Sequence, residues 1–397
     1  MTGSVRKRGD KWYYSFEAAR VDGKRKRIER VGGRTKKEAE AALRKALEEY
    51  ENTGRHFKTS EISTSDYMDY WYEQYVLINC KYNSQLSYKN IIENHIKPIF
   101  GIYKLKSLSP NLIQDFINKK FLNGISKNHL INISSLLNSS LKYAVYPGNF
   151  IKENPMQYIK LPKYEHSKTQ INHKTINNAE FDKIITRFPF GSTFHLPILI
   201  GYYTGCRIGE VLALTWDDVD LDNNIIKINK IIYQKQTKWY FGSTKTKSST
   251  RKIIFGQTLS DELKKYKTYQ LKNKLKYGEY YINQYIENDL ITSTHLKLPK
   301  KMINMVCTKE NGTITTPGAF RYASRVINHE LGIAFNFHAL RHTHATKLIE
   351  NGANIKDVQY RLGHTNIQTT LNTYTHVTEN MSNQSVDIFE KSSLPTI

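Results

Sequence analysis

Two polar stretches without apolar periodicity, residues 55–64 and 160–178, interrupt this chain of 397 residues and divide it into three blocks. A hydrophobic core needs a continuous supply of periodic apolar positions, so the blocks are expected to fold around separate cores. The first block alternates with a period of two, the second repeats at helical spacing, and the third mixes both. This pattern predicts a multidomain α+β protein. It has a small basic β-sheet-plus-helix N-terminal domain over 1–55 and a helical bundle over 62–160. A mainly α domain with a small antiparallel sheet follows over 172–397.

In the first block Trp12, Tyr14, Phe16 and Ala18 alternate with Tyr13, Ser15 and Glu17, as on a strand with one covered face. Asp22-Gly23 is a hairpin signal, and Lys24 to Val31 reads as the return strand. Thr35-Lys36-Lys37-Glu38 matches a capping box, and Ala39, Ala42, Leu43, Ala46, Leu47 and Tyr50 then share a helix face that Gly54 ends. Residues 1–37 hold 13 basic and 4 acidic side chains. A ribbon of two or three strands fits the major groove, and Arg6, Lys7, Arg8, Lys24, Arg25, Lys26 and Arg27 are its candidate DNA contacts.

The second block predicts four helices, with breaks at Gly101, Ser109-Pro110, Gly124 and Pro147-Gly148. Tyr67, Tyr70, Trp71 and Tyr75 form a stripe expected in the core. Ile91, Ile92, His95 and Ile96 form a second, and exposed lysines are left for phosphate.

In the third block Phe194 to Tyr203 is an apolar helix stopped at Gly205, with Arg207 directly behind it. Val211, Leu212, Leu214 and Trp216 continue at helical spacing, Ile226, Ile228 and Lys230 to Tyr233 alternate, and Tyr240 to Phe241 and Arg251 to Phe255 complete a strand-rich stretch around a tip at 243–249. Helices are expected over 259–276 and 317–331. In Phe337 to His344 a helix places His338, Arg341 and His342 at i, i+3 and i+4 on one face. Leu340, Thr343 and Leu348 remain to anchor it. Gly352 ends that helix, Ile355 to Leu362 forms a shorter one closed by Gly363, His364 follows, and Tyr374 lies ten residues on. Imidazole, guanidinium and phenol delivered together suit attack on a phosphodiester.

Charge narrows the partner. Lysine and arginine number 59 against 36 acidic residues, a net charge of +23, which makes a polyanion the expected partner. No apolar run approaches the ~18 residues of a membrane span. Cys80, Cys206 and Cys307 are odd in number and widely spaced, which gives no disulfide framework or paired metal motif and fits a reducing cytoplasm. From Arg187 onward only 7 arginines stand beside 20 lysines. In that background an arginine marks a place where a planar two-donor fork is needed.

Thr204-Gly205-Cys206-Arg207-Ile208-Gly209-Glu210 with Leu214-Thr215-Trp216, then Lys245-Thr246 on a hairpin, then His338-x-x-Arg341-His342, Leu362-Gly363-His364 and Tyr374 resemble the boxes of tyrosine recombinases. The likeness is to phage and conjugative-transposon integrases, and it extends over nearly the whole chain. It implies that Arg207 and Arg341 clamp the scissile phosphate, His338 takes the proton of Tyr374, and Tyr374 is the nucleophile of a 3′-phosphotyrosyl intermediate. It also implies Lys245 as general acid (with Lys247 as alternative), His364 as a phosphate or tyrosine partner, and Glu210 as an accessory acid. His342 and His344 are read as structural. No cofactor or metal is implied.

The implied partner is double-stranded DNA with core-type and arm-type attachment sites, bound by a homotetramer together with an excisionase and a DNA-bending protein. The implied place is the bacterial cytoplasm, on the nucleoid when active. The tail from Thr375 to Ile397 is either a frayed terminus or a segment that docks on a neighbouring subunit. Two other readings stand beside this one. The first is a sequence-specific DNA-binding regulator without cleavage. The second is a hydrolytic nuclease whose metal sits on His338, His342, His344 and His364, opposed by the arginine among them and by the lack of a carboxylate or cysteine.

Overall fold

The computed structural model describes residues 3–21, 24–53, 62–164, 175–244 and 249–374, with side chains except at 18–21, 24–26, 49–53, 369 and 372–374. The chain divides into two compact units, Met1–Ser167 and Lys168–Ile397.

The first unit opens with β1 (Gly3–Arg8), β2 (Lys11–Val21) and β3 (Lys24–Gly33), an antiparallel sheet in that order. Tyr14 sits opposite both Val5 and Arg30. The period of two buries Tyr14 and Phe16 against α1 (Lys36–Thr53), with Val5, Ile28, Ala42, Leu43, Ala46 and Leu47 around them. The capping box forms: the Glu38 amide donates to Thr35 Oγ1 at 3.3 Å, and the amides of Thr35 and Arg34 donate to Glu38 Oε2 at 3.3 and 2.8 Å. These bonds satisfy amides that a helix start leaves open. The Asp22-Gly23 turn and the Gly54 stop lie outside the described residues.

Four helical rods follow, as the breaks predict. The first is α2 (Thr64–Trp71), continued by a π-helical turn over Tyr72–Val76 into α3 (Leu77–Asn79). The second is α4 (Tyr82–Ile91), a π-helical turn over Ile92–Ile96, and α5 (Lys97–Phe100). A π turn brings residues five apart onto one face, and both Trp71 with Val76 and Ile91 with Ile96 are buried pairs at that spacing. The remaining rods are α6 (Pro110–Leu122) and α7 (Lys127–Val145), capped by Ser109 and Ser126. The aromatic stripe is core: Tyr67 and Trp71 are fully buried among Ile96, Phe100, Ile117 and Leu137, and only Tyr70 of the first three reaches the surface.

The second unit starts with α8 (Asn178–Arg187), held by an Asn177/Glu180 capping box. Helix α9 (His195–Thr204) is apolar nearly all round and correspondingly buried. Behind it α10 (Ile208–Val211) is a single turn, and Trp216 belongs to a separate 3₁₀ turn, Trp216–Asp218. The expected helix through Trp216 is therefore broken, although Val211, Leu212 and Leu214 are all buried.

Next come β4 (Val219–Asp220), β5 (Ile225–Ile228), β6 (Lys230–Lys235), β7 (Lys238–Ser243) and β8 (Arg251–Ile254). One sheet is ordered β4-β5-β8, whereas β6 and β7 belong to another. Strand β7 returns along β6 with Lys230 opposite Ser243, and β8 returns along β5 with Ile228 opposite Arg251. The segment carrying Lys245 therefore interrupts a return strand and is not the tip of a hairpin, as the sequence reading expected. Lys245 and Lys247 themselves lie outside the described residues.

After α11 (Gln257–Tyr277), three strands that the periodicity did not announce extend the second sheet: β9 (Asn283–Glu287), β10 (Leu290–Thr294) and β11 (Lys301–Ile303). The sheet order is β11-β9-β10-β7-β6. A signal for them was available. Asn288 and Asp289 join β9 to β10 with positive φ at both positions, 47° and 64°, a geometry that Asn and Asp tolerate best in two-residue hairpins. Helices α12 (Phe320–Glu330), α13 (Phe337–Glu350), α14 (Ile355–Leu362) and α15 (Ile367–Tyr374) close the unit. None of the described helices is long and apolar enough to cross a membrane.

Leu137 is fully buried in the helical core, so Leu137→Ala should cost about 2–5 kcal/mol of stability. A shift of the urea midpoint of the full chain at unchanged pH measures this.

Candidate active site

The site is assembled where α9 ends. Gly205 caps that helix with φ 68°, a left-handed conformation that glycine adopts without strain. A Cβ there would also lie 2.9 Å from His344 Cδ2 and from Leu362 Cδ2. This turn sends Arg207 out of the helix axis and leaves the Gly205 carbonyl facing α13, where Arg341 Nη1 donates to it at 2.9 Å.

Glu210, one turn on, holds Arg207. Its Oε2 accepts from the Arg207 amide at 3.0 Å, and its Oε1 accepts from Arg207 Nη1 at 2.9 Å. Oε2 also accepts from Arg251 Nη2 at 3.0 Å. Glu210 is 2 % exposed. Burial alone would push its carboxyl up, yet Arg251, and after it Arg207, hold it below the usual range. The carboxylate is therefore ionised at neutral pH.

Arg341 is 1 % exposed, although it shares its helix face with the exposed His338. Its Nη2 is buried and has no hydrogen-bond partner among the described residues. Burial foremost, then the Arg207 charge, lowers its pKa to about 10, so it keeps its proton at pH 7. A charged donor left without an acceptor in a buried position is costly. Three guanidinium groups, those of Arg207, Arg251 and Arg341, surround one carboxylate here, and the excess positive charge suits an anion.

The histidines separate into two kinds. His338 and His342 stack edge to face, with ring centroids 4.6 Å apart. His344 is structural, as expected: its Nδ1 lies 2.9 Å from the Tyr202 carbonyl, and its Nε2 accepts from Arg361 Nε at 2.8 Å. With both ring nitrogens engaged, His344 cannot join a four-histidine metal site, and no metal-holding group of three His, Cys, Asp or Glu occurs among the described residues. His364 follows Gly363, whose φ of 68° ends α14. Its Nδ1 meets Thr370 Oγ1 at 2.9 Å. Burial, then the charges of Arg341, Arg207 and His338, lower its pKa to about 4. It is thus a neutral imidazole at pH 7 in a cationic surrounding.

Tyr374 is the last residue of α15. Its side chain and the tail from Thr375 to Ile397 lie outside the described part of the structure. In the N-terminal sheet Arg6 makes a two-point ion pair with Glu29, at 2.8 and 2.7 Å from Nη2 to the two carboxylate oxygens, and Arg8 lies 3.6 Å from the same carboxylate. Arg27 donates to Ser15 Oγ at 2.8 Å, and Lys7 is exposed. The side chains of Lys24, Arg25 and Lys26 lie outside the description.

Sequence reasoning missed Arg251 and Arg361. Arg361 ties α14 to the end of α9 and to β8, donating to the Tyr203 and Ile254 carbonyls at 3.1 and 2.8 Å. The scarcity of arginine in this block was a signal that pointed to both.

Comparison with known proteins adds an independent line. Residues 170–381 match the phage integrase family, 64–121 the N-terminal SAM-like domain of phage integrases, and 4–50 an arm DNA-binding domain. A tyrosine recombinase XerC-like protein of Caldanaerobacter subterraneus is 28% identical over 369 residues, 89% of each chain. The ICEBs1 integrase of Bacillus subtilis is 27% identical over 387 residues, 94% of each chain. Among solved structures, the Tn1549 transposon integrase in complex with a circular intermediate DNA aligns with TM-score 0.65 at 20% identity, over 83% of this chain and 99% of that one. A lambda integrase tetramer bound to a Holliday junction gives 0.54 at 17%, over 94% and 97%. Fold and family together define a tyrosine-type DNA strand-transfer enzyme. The chain belongs to the phage integrase family.

The buried histidines give the site unit an acid limit. His344 has a folded pKa of about 4, depressed first by burial and then by the Arg361 charge, against ~6.5 when unfolded. The unfolded chain therefore binds the proton first, and stability is lost as pH falls from ~6.5 towards 4, by about 3 kcal/mol for this residue. Urea unfolding at pH 7, 6 and 5 should show that slope. His344→Gln should lower stability at pH 7 but flatten its decline.

Proposed function

We propose that this protein is a site-specific integrase that cuts and rejoins DNA through a 3′-phosphotyrosyl intermediate to integrate and excise a mobile element. The observation that carries the proposal is the buried Arg341 guanidinium, whose Nη2 has no partner among the described residues, beside Arg207. A phosphodiester oxygen supplies the missing acceptor.

In this reading Tyr374 attacks phosphorus while His338 takes the phenol proton. A phenol is only ~0.1% ionised at neutral pH, so proton removal is needed. The Tyr374 oxygen–phosphorus bond forms as the bond from phosphorus to the 5′-oxygen breaks, and Lys245 (or Lys247) protonates the departing oxygen. Arg207 and Arg341 hold the non-bridging oxygens as negative charge grows on them. Glu210 fixes Arg207 by contacting both its amide and its guanidinium. His364, neutral at pH 7, presents Nε2 to the phosphate while Thr370 occupies Nδ1. A free 5′-hydroxyl of the second DNA then reverses the step. The phosphotyrosyl bond conserves the energy, so the chemistry needs neither ATP nor a metal ion.

Domain roles follow the family matches: arm-type DNA binding by 1–55 through Arg6 to Arg8 and Lys24 to Arg27, core-type binding by 62–160, and chemistry by 172–397. The lambda integrase tetramer on a Holliday junction supports a homotetramer for this chain, and tethering two DNA sites through one protomer raises their local concentration. An excisionase and a DNA-bending protein are proposed helpers, in a bacterial cytoplasm and on the nucleoid. Family membership disfavours the regulator without cleavage.

A nicked attachment-site duplex incubated with the protein in EDTA should trap a covalent protein–DNA adduct. Tyr374→Phe should abolish the adduct and leave DNA binding intact, and an adduct that survives this change rules out the nucleophile. Arg341→Lys should slow adduct formation by about 10²–10³-fold, the usual loss for one preorganised donor.

A further inference from the structure

Arg251 is engaged at all three of its guanidinium nitrogens, yet the proposed chemistry gives it no task. Its side chain is fully buried. Nη2 donates to Glu210 Oε2 at 3.0 Å and meets Cys206 Sγ at 3.6 Å. Nη1 donates to the Ser249 carbonyl at 2.9 Å, and Nε donates to the Arg361 carbonyl at 2.6 Å. A Cβ on Gly363 would lie 3.0 Å from Nη1, so the glycine before His364 also makes room for this guanidinium.

Each contact leads to a different part of the site. Glu210 carries Arg207. Cys206 follows Gly205, whose carbonyl holds Arg341. Arg361 and Gly363 precede His364. Ser249 is four residues beyond Lys245 and closes the excursion between β7 and β8. A flexible cation serves poorly here, because the four acceptors lie in different directions around a plane. A planar group with five donors matches them.

We propose that Arg251 is a positioning residue for strand transfer, holding Ser249, four residues after the general acid, against the Glu210 carboxylate that fixes the phosphate clamp. The inference rests on the proposed reading, in which Lys245 protonates the leaving 5′-oxygen. It touches neither DNA nor the reacting atoms and acts through the Ser249 carbonyl and Glu210. Arg251→Lys keeps the charge but cannot span these acceptors, so Ser249 should lose its anchor and the proton-donating step should slow while the fold and DNA affinity survive.

The test uses the full chain and two attachment-site duplexes, one ordinary and one with sulfur replacing the bridging 5′-oxygen at the cleaved bond. A thiolate leaves without a proton, so this substrate bypasses the acid. On the ordinary duplex Arg251→Lys should form adduct about 10²-fold more slowly, the lower range for loss of a general acid, with DNA affinity unchanged. On the sulfur duplex most of that deficit should vanish, as it should for Lys245→Ala. Arg251→Gln, whose planar amide reaches fewer of these acceptors, should behave alike and serves if Arg251→Lys does not fold.

A folded Arg251→Lys protein that cleaves the ordinary duplex at the wild-type rate overturns the inference. So does an equal deficit on both duplexes, which would mark a general loss of structure. The reading beneath it fails separately: wild-type protein would form no adduct, or Lys245→Ala would show no recovery on the sulfur duplex.

Discussion

One buried carboxylate between arginines organises the catalytic unit. Glu210 accepts from Arg207 on one oxygen and Arg251 on the other. Without it three guanidinium groups would face one another in a low-dielectric interior, where like charges repel strongly. With it, one negative charge sets the geometry of two cations and leaves net positive charge for a ligand. The carboxylate is itself desolvated, so its ionisation depends on the same cations it orders. The dependence is strongest on the carboxylate: removing Glu210 leaves buried guanidinium charge uncompensated, which is more damaging than the absence of the whole set.

The surrounding fold keeps this cluster rigid. Helix α9 is buried along its length, and its glycine cap fixes the direction of the chain that carries Arg207. Helix α13 packs beside it through Leu340 and presents Arg341 from the interior. Thr343 Oγ1 accepts from the Ile176 amide at 2.8 Å, joining that helix to the start of the domain. Arg341 is therefore carried within a helix, while Arg207 and His364 stand directly at helix boundaries, before α10 and after α14, and elements of that kind hold side chains more tightly than long loops do.

Much of this was legible in the residues. The helical periods, the break at Ser109-Pro110 and the capping box at Thr35 to Glu38 are local features, so the sequence alone carries them. The His338, Arg341 and His342 spacing gave the helix correctly, yet it did not reveal that Arg341 points inward while His338 is exposed. Burial of an arginine depends on partners distant in sequence, here Gly205, and no period encodes that. The hairpin expected around Lys245 failed for a related reason. Which strand β8 joins is decided by the continuity of β5 with β6, a tertiary matter. The missed strands β9 to β11 are short and polar, and only the Asn288-Asp289 turn announces them. Arg251 was read as the start of a strand, and its contacts connect positions 41 and 110 residues away.

The interrupted return strand has a consequence for chain length. Strands β7 and β8 are each fastened to a different part of one nearly continuous partner, so the connector between them can change length without disturbing either ladder. Closing a longer loop costs little, roughly 0.6 kcal/mol for each doubling. An insertion or deletion in this connector would therefore leave both ladders paired, with the Arg251 contact to the Ser249 carbonyl still marking its exit.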